Sequence, residues 1–518
     1  MNPYLVSGES LKVDDVVSVA RGQRVALAPE AVPRMQQSRD AVEQIVHEGR
    51  VAYGITTGFG RFKDKIISQE EVHELQLNLV RSHAAGVGPE LSQEEVRAML
   101  LIRANTLAIG RSGVRPKVVQ LLLDLLNNNV HPRVPSQGSL GASGDLAPLA
   151  HLALVLIGEG EARVSDELLS GAEALRRANL SPLALQAKEG LALLNGTTLM
   201  VAVGALNVRR AINLTLTGDI VAALTLEALN GTDRAYDDRV HQLRPHPRQI
   251  ECAKFLRSVL EESRMLRGQG SLNVQDPYTL RCVPQVHGAV RDAIAYAQWV
   301  INIELNSVND NPIILVDEDS GEIDVISAGN FHGEPISIAM DYAALAITEL
   351  GNMSERRIAR LVNADSNGGI LPMFLTRRGG LESGFMLAQY TAAALASENK
   401  VLAHPASADT IPSSADIEDH VSMGPAAVRQ FAQILRHSEI IVAIELLSAA
   451  QGIDFRLREM GLSVDSLGQG TRVAYRLIRE QVPFQEEDKP LAPQIEQVRL
   501  LVAAGTIKRA VEMELGLN

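Results

Sequence analysis

Disulfides, nucleic-acid binding and membrane spanning are poorly supported by what this chain lacks. It has only two cysteines, Cys252 and Cys282, so it is not a disulfide-stapled fold, and neither sits in a CxxC or Cys/His metal spacing. Aromatic residues make up 3% of the chain, and 62 acidic against 49 basic residues give a formal charge of -13. Few stacking platforms and no basic excess argue against a nucleic-acid surface. The apolar run Ile440–Ile444 is broken by Glu445, far short of the roughly 20 residues that a membrane helix needs, and reads as a buried helix. No basic start followed by an apolar stretch opens the chain, so a reducing cytoplasm is the expected location. His73-Glu74, His332-Gly333-Glu334 and Asp419-His420 contain ligand types without an HExxH spacing, and no metal is expected. Gly268-Gln269-Gly270 and Asn367-Gly368-Gly369 lack the Lys-Ser/Thr of a phosphate loop and read as ordinary loops.

What is present is enough apolar sequence, 46% of 518 residues, to bury a large core in more than one lobe. Helical patterns dominate. Ser92-Gln93-Glu94-Glu95 is a capping box opening a helix with Val96, Leu100, Leu101 and Ala104 on one face, stopped by Gly110. Arg115-Pro116 opens a second, with Val118, Val119, Leu122, Leu125 and Leu126 at helical spacing. Longer helices are predicted over 201–229, 335–363, 381–402 and 425–451, with Pro335 and Pro425 in first-turn positions. Helices that long, apolar and alanine-rich need burial on several sides, which predicts an extended bundle whose outer faces meet other subunits. Strand signals are sparse, the best being a hairpin of 311–316 with 323–326 across Asp319-Ser320-Gly321.

Within the block Gly138-Ser139-Leu140-Gly141-Ala142-Ser143-Gly144-Asp145 lies a tripeptide that can make an electrophile from its own backbone. Without a side chain, Gly144 lets its amide nitrogen approach the Ala142 carbonyl in a tight turn. Ring closure with loss of water, and loss of the Ser143 hydroxyl as a second water, leaves a five-membered imidazolone with an exocyclic methylene. Small neighbours and the nearby acid Asp145 suit that reaction.

The segment from Gly138 to His151 resembles the signature of the histidine and phenylalanine ammonia-lyase family, whose prosthetic group is 4-methylidene-imidazol-5-one (MIO). Similar segments run from Gly8-Glu9-Ser10-Leu11 to Pro490-Leu491-Ala492-Pro493, nearly the whole chain. The resemblance implies a mainly α fold, with an N-terminal lobe over 1–200 carrying Ala142, Ser143 and Gly144, and a long central helix bundle over 201–518. It further implies a homotetramer with active sites shared among subunits. Tyr53, in a glycine-rich loop, matches the family's candidate base for the β-proton. Arg281 matches its carboxylate clamp, with Tyr278 beside the prosthetic group. Gln275, Tyr278 and Arg281, at spacings of three, are expected to share one helical face. Asn195 resembles the asparagine near the imidazolone, and Phe331 a residue packing by the substrate.

The implied reaction is elimination of ammonia from L-histidine to give trans-urocanate, the first step of histidine degradation. His83, Met386 and Glu418 fall where histidine-selective members carry their imidazole-side groups, whereas phenylalanine-selective members have an apolar pair at the Ser82-His83 position. Glu418 is expected either to accept an imidazole N–H or, in place of Tyr53, to take the β-proton. The chain departs from the family pattern at Thr198, where glutamine is usual, at Asp416-Ile417, where Asn-Gln is usual, and at Val283 and His287. A tyrosine ammonia-lyase and a 2,3-aminomutase are the alternatives within the family, and an inactive helical scaffold is the alternative outside it.

Overall fold

The computed structural model describes residues 2–68, 71–268, 274–317 and 319–517; Gln269 and Gly270 of one glycine stretch lie outside them. The chain forms two compact units, the first made of Met1–Arg209, Ala297–Asp341 and Pro405–Arg429, the second of Arg210–Tyr296, Tyr342–His404 and Gln430–Asn518. The units are discontinuous, unlike the single cut at 200 expected from the sequence. Side-chain amides join the distant segments of unit 1: Asn306 accepts from the Leu11 N–H at 2.8 Å and donates back to its carbonyl at 2.8 Å, and Asn105 donates to the Leu305 carbonyl at 2.8 Å.

Every described strand belongs to unit 1. Tyr4–Val6 pairs in parallel with Val25–Leu27, and Val87–Glu90 pairs antiparallel with Pro135–Gln137. Val130–Pro132, Glu161–Val164 and Glu167–Ser170 form an antiparallel three-stranded sheet. The expected hairpin is present as Ile313–Val316 against Ile323–Ile326. The capping box also forms: the Glu95 N–H donates to Ser92 Oγ at 3.3 Å and the Ser92 N–H to Glu95 Oε2 at 2.7 Å. It opens the helix Gln93–Ala108, which is buried from Val96 onward, Arg97, Arg103, Asn105 and Thr106 included. A helix buried all round is a core element rather than an amphipathic one.

The predicted long helices appear as Thr198–Ala228, Glu334–Val362, Met386–Leu402 and Gly424–Met460. The third begins five residues later than expected, because Gly384 adopts φ +54° and the Ser383 and Gly384 N–H groups donate to the Asp488 carboxylate instead. The fourth runs nine residues further, to a left-handed Gly461. Thr198–Ala228 is long and apolar enough to cross a membrane, but 89% of its most apolar window is buried.

Unit 2 has a buried ionic hub. Glu445, which interrupts the apolar run, accepts from Arg357 Nε at 2.6 Å and Nη2 at 2.9 Å, from Thr225 Oγ1 at 2.7 Å and from Ser354 Oγ at 2.6 Å. Both charged side chains are fully buried, so removing one strands the other. Arg357→Leu is expected to destabilise the protein by about 3–5 kcal/mol, read as a lowered thermal midpoint; a midpoint within a degree of wild type would rule out the hub.

Candidate active site

The tripeptide sits in a turn that glycine makes possible at two facing positions. Gly144 has φ +79° and forms a parallel bridge with Gly196, φ +128°. The Gly196 N–H donates to the Ser143 carbonyl at 3.3 Å, and the Asp145 N–H donates to the Gly196 carbonyl at 2.8 Å. A Cβ at 144 would drive into the Gly196 backbone, and one at 196 into Asn309 Oδ1 and Arg103 Nη1. Ser139 Oγ donates to the Gly144 carbonyl at 3.2 Å. On the other side, the Met423 N–H donates to the Leu140 carbonyl at 3.0 Å and Ser422 Oγ to the Gly141 carbonyl at 3.3 Å.

Asp145 is fully buried and accepts from the Met200 N–H at 3.0 Å, at the start of the Thr198–Ala228 helix. Burial pushes its pKa up to about 7, against the helix N–H groups, which favour the carboxylate. Burial thus favours the protonated form of this acid, next in the chain to Gly144.

A cavity of about 1210 Å³ opens over Ser143 and is also lined by Tyr53, His83, Asn195, Phe331 and Glu418. Six side chains expected at a site thus share one cavity of unit 1. His83 ends the helix Val72–His83, with Nδ1 2.8 Å from the Leu79 carbonyl. With its proton on Nδ1, Nε2 is an acceptor; burial lowers the His83 pKa, which favours that neutral ring. Asn195 donates Nδ2–H to the Asn311 carbonyl at 2.9 Å, and its Oδ1 is buried without a partner. Tyr53 OH accepts from the Gly60 N–H at 3.4 Å, and its pKa is raised by burial and by the nearby Glu418. The Gly60 hydrogen bond opposes that shift.

Glu418 receives the Ser143 hydroxyl at 3.3 Å and that of Ser413 at 3.1 Å. It follows three consecutive left-handed residues, Ser414, Ala415 and Asp416, with φ of 52–65°. Non-glycine residues in that region cost about 1–3 kcal/mol each and are commonly held at functional sites. The Ser413–Glu418 backbone bridge closes this turn, and Ile417 beside it lines the cavity.

Gln275, Tyr278, Arg281 and Met386 belong to unit 2 and do not line this cavity. The helical face expected for the first three is corrected. Only Tyr278–Arg281 is helical, a single turn whose N-cap is Pro277, and Gln275 lies before it outside any helix or strand. The Pro277 ring disfavours helix in the residue ahead of it. Tyr278 is 69% exposed, with the Arg281 guanidinium 4.5 Å from its ring centre, and Arg281 Nε has no partner. Met386 is half-buried at the start of its helix.

Unit 2 also gathers Asp219, Cys252 and His287 within 4.8 Å, a grouping that sequence spacing did not show. His287 Nδ1 is 2.6 Å from Asp219, Arg291 pairs with the same carboxylate, and burial holds the Cys252 thiol protonated. The positive charge there is already supplied by Arg291. Sequence reasoning also missed Arg61, Lys63 and Lys65 on the unit 1 cavity, whose only signal was the basic run after Gly60.

Residues 11–480 match the aromatic amino acid lyase family, and the chain belongs to it; it is a carbon–nitrogen lyase. It is 56% identical over 510 residues to a histidine ammonia-lyase of Chloroflexus aurantiacus, covering 98% of this chain and 97% of that one. Among solved structures it is similar to histidine ammonia-lyase from Trypanosoma cruzi, with TM-score 0.90, 40% identity and coverage of 99% and 96%. It is also similar in fold to a tyrosine aminomutase from Streptomyces globisporus, with TM-score 0.93, 38% identity and 99% of both chains covered.

Gly196→Ala is expected to yield folded protein in which the 142–144 turn is displaced and lyase activity falls at least a hundredfold, since 1 Å misplacements cost about that much. Activity within twofold of wild type would show that the glycine contact is dispensable.

Proposed function

We propose that this enzyme eliminates ammonia from L-histidine to give trans-urocanate, the first step of histidine degradation, using MIO formed from Ala142, Ser143 and Gly144. The observation that carries the reading is the convergence of neutral His83 and Glu418 on the cavity that holds Ser143. The residues present fit the group: the two facing glycines leave room for ring closure, and the Asn195 oxygen is a buried acceptor with no partner of its own. Once formed, the group supplies an electrophilic methylidene carbon that takes up the substrate amine and makes it a better leaving group.

The remaining work falls to side chains. The Glu418 carboxylate accepts the imidazole N–H, with His83 beside the ring; a carboxylate left unpaired by an apolar ring discriminates against phenylalanine. Phe331 packs against the substrate. Arg281 pairs with the substrate carboxylate through two parallel N–H groups, with Tyr278 beside it and Gln275 and Met386 bordering the site. Their place in unit 2, with Tyr278 exposed, suits contribution from another subunit of a homotetramer. The compartment that fits is the cytoplasm.

Tyr53 or Glu418 takes the β-proton. Because the Tyr53 pKa is raised, a phenolate base gains its active form as pH rises, so activity should climb on the alkaline side. Tyr53→Phe should abolish that limb and lower kcat by about 10²–10⁴, while Glu418→Gln should mainly raise KM for histidine; the reverse pattern assigns the base to Glu418.

A second reading, a tyrosine lyase or 2,3-aminomutase, is favoured by one feature: Ile417 supplies an apolar group to the lining. Incubation with L-histidine, L-tyrosine and L-phenylalanine separately, with product followed by ultraviolet absorbance and mass, decides between them. Urocanate from histidine is expected; a coumarate-type product or an isobaric β-amino acid would overturn the histidine reading, and no product from any substrate would favour the scaffold.

A further inference from the structure

The Gly196 that presses on the tripeptide is itself held by a side chain outside the cavity. Arg103 lies on the core helix Gln93–Ala108 and is fully buried. Its Nη1 donates to the Asn195 carbonyl at 2.7 Å and its Nη2 to the Ala192 carbonyl. These carbonyls are the loose end of the helix Glu189–Leu194, where no further helical N–H can reach them. A planar guanidinium spans two such acceptors and puts positive charge at the negative end of the helix, which a lysine cannot do with one fork.

Around this anchor the 195–197 segment has no freedom to retreat. Thr197 Oγ1 donates to Glu304 at 3.0 Å and accepts from Asn309 Nδ2 at 2.9 Å, and Asn195 Nδ2 donates to Asn311. Asp310, between Asn309 and Asn311, is paired with the buried Lys188 at 2.6 Å. The far side of the segment is the bridge to Ser143 and Gly144. The tripeptide is therefore linked to Arg103 through the Asn195-Gly196 backbone.

We propose that Arg103 is a positioning residue for the self-cyclisation of Ala142-Ser143-Gly144, holding the Asn195-Gly196 backbone against the turn while the ring closes. The inference rests on the MIO reading above. In that reaction Gly144 N bonds to the Ala142 carbonyl carbon. The Ala142 oxygen leaves as water with the Gly144 and Ser143 amide hydrogens, and Ser143 Oγ leaves as a second water with one side-chain proton of its own and the Ser143 Cα hydrogen. Nothing is oxidised or reduced, so no co-reactant is needed. What the fold must supply is compression of the turn, because an open peptide gains freedom by relaxing.

Arg97 provides an internal control. It sits on the same helix, also buried, and donates to the Val19 and Leu126 carbonyls at 3.0 Å, away from the tripeptide. Wild type, Arg103→Lys, Arg103→Gln and Arg97→Lys would be compared by thermal unfolding. The mass of the proteolytic peptide spanning 142–144 would then be measured at fixed times after synthesis, with Ser143→Ala as the standard that cannot lose the hydroxyl. The expected order of dehydrated fraction is wild type equal to Arg97→Lys, then Arg103→Lys several-fold lower, then Arg103→Gln lowest.

Full dehydration of the folded Arg103 variants at the wild-type rate would overturn the proposal. So would an equal loss in Arg97→Lys, which would make the effect one of general stability. Failure of both Arg103 variants to fold while Arg97→Lys folds would also overturn it, returning Arg103 to a purely structural role. A wild-type peptide that never loses water would instead overturn the MIO reading on which the inference stands.

Discussion

Two glycines in contact, Gly144 and Gly196, are the constraint on which the rest of the site depends. With no Cβ on either, one backbone can lie on the other, and hydrogen bonds on both sides of Gly196 then lock the Ser143 carbonyl and the Asp145 amide in place. Asp145 adds a buried carboxyl seated on the start of the Thr198–Ala228 helix. The unit 1 core makes the arrangement rigid: the Gln93–Ala108 helix behind it is buried along nearly its whole length. A reaction between neighbouring peptide groups needs no added reagent, only a fold that will not let the turn relax.

Burial sets the protonation of the unit 1 cavity wall. On the cavity side of unit 1, burial favours a neutral His83 and a protonated Tyr53, beside the Arg61, Lys63 and Lys65 side chains of the same lining. Glu418 is the carboxylate of this wall, presented by a turn of left-handed residues that the Ser413–Glu418 bridge holds closed. In unit 2, the Arg281 guanidinium stacks on an exposed Tyr278. The Tyr278 ring is exposed, while Arg281 Nε beneath it is buried without a partner.

Much of this was legible in sequence because it is local. The capping box at Ser92, the Pro116 helix and the 313–326 hairpin are written in short-range patterns, and the Ala142-Ser143-Gly144 block carries its chemistry in adjacent residues. Six of the expected side chains meet on one cavity because the family motifs that flag them are themselves local. What was not legible is what acts at a distance. Arg103 reads as one more charge on a helix until its carbonyl partners, about ninety residues away, are known. Gly196 reads as half of an Asn-Gly turn, and the Ser414–Asp416 turn has no glycine to mark it. The helical face through Gln275 fails because Pro277 caps the turn and keeps the residues ahead of it out of the helix. The 381–402 helix began late because Asp488, more than a hundred residues on, takes the N–H groups that would have extended it.

The most direct test of this account is a crystal structure of the purified enzyme at a resolution that separates bonded from non-bonded atoms at residues 142–144. A covalent bond between Gly144 N and the Ala142 carbonyl carbon, with a planar methylidene in place of the Ser143 hydroxyl and Gly196 still against the ring, is the predicted result. An open peptide with an intact serine hydroxyl, in protein that is folded and assembled, would contradict it.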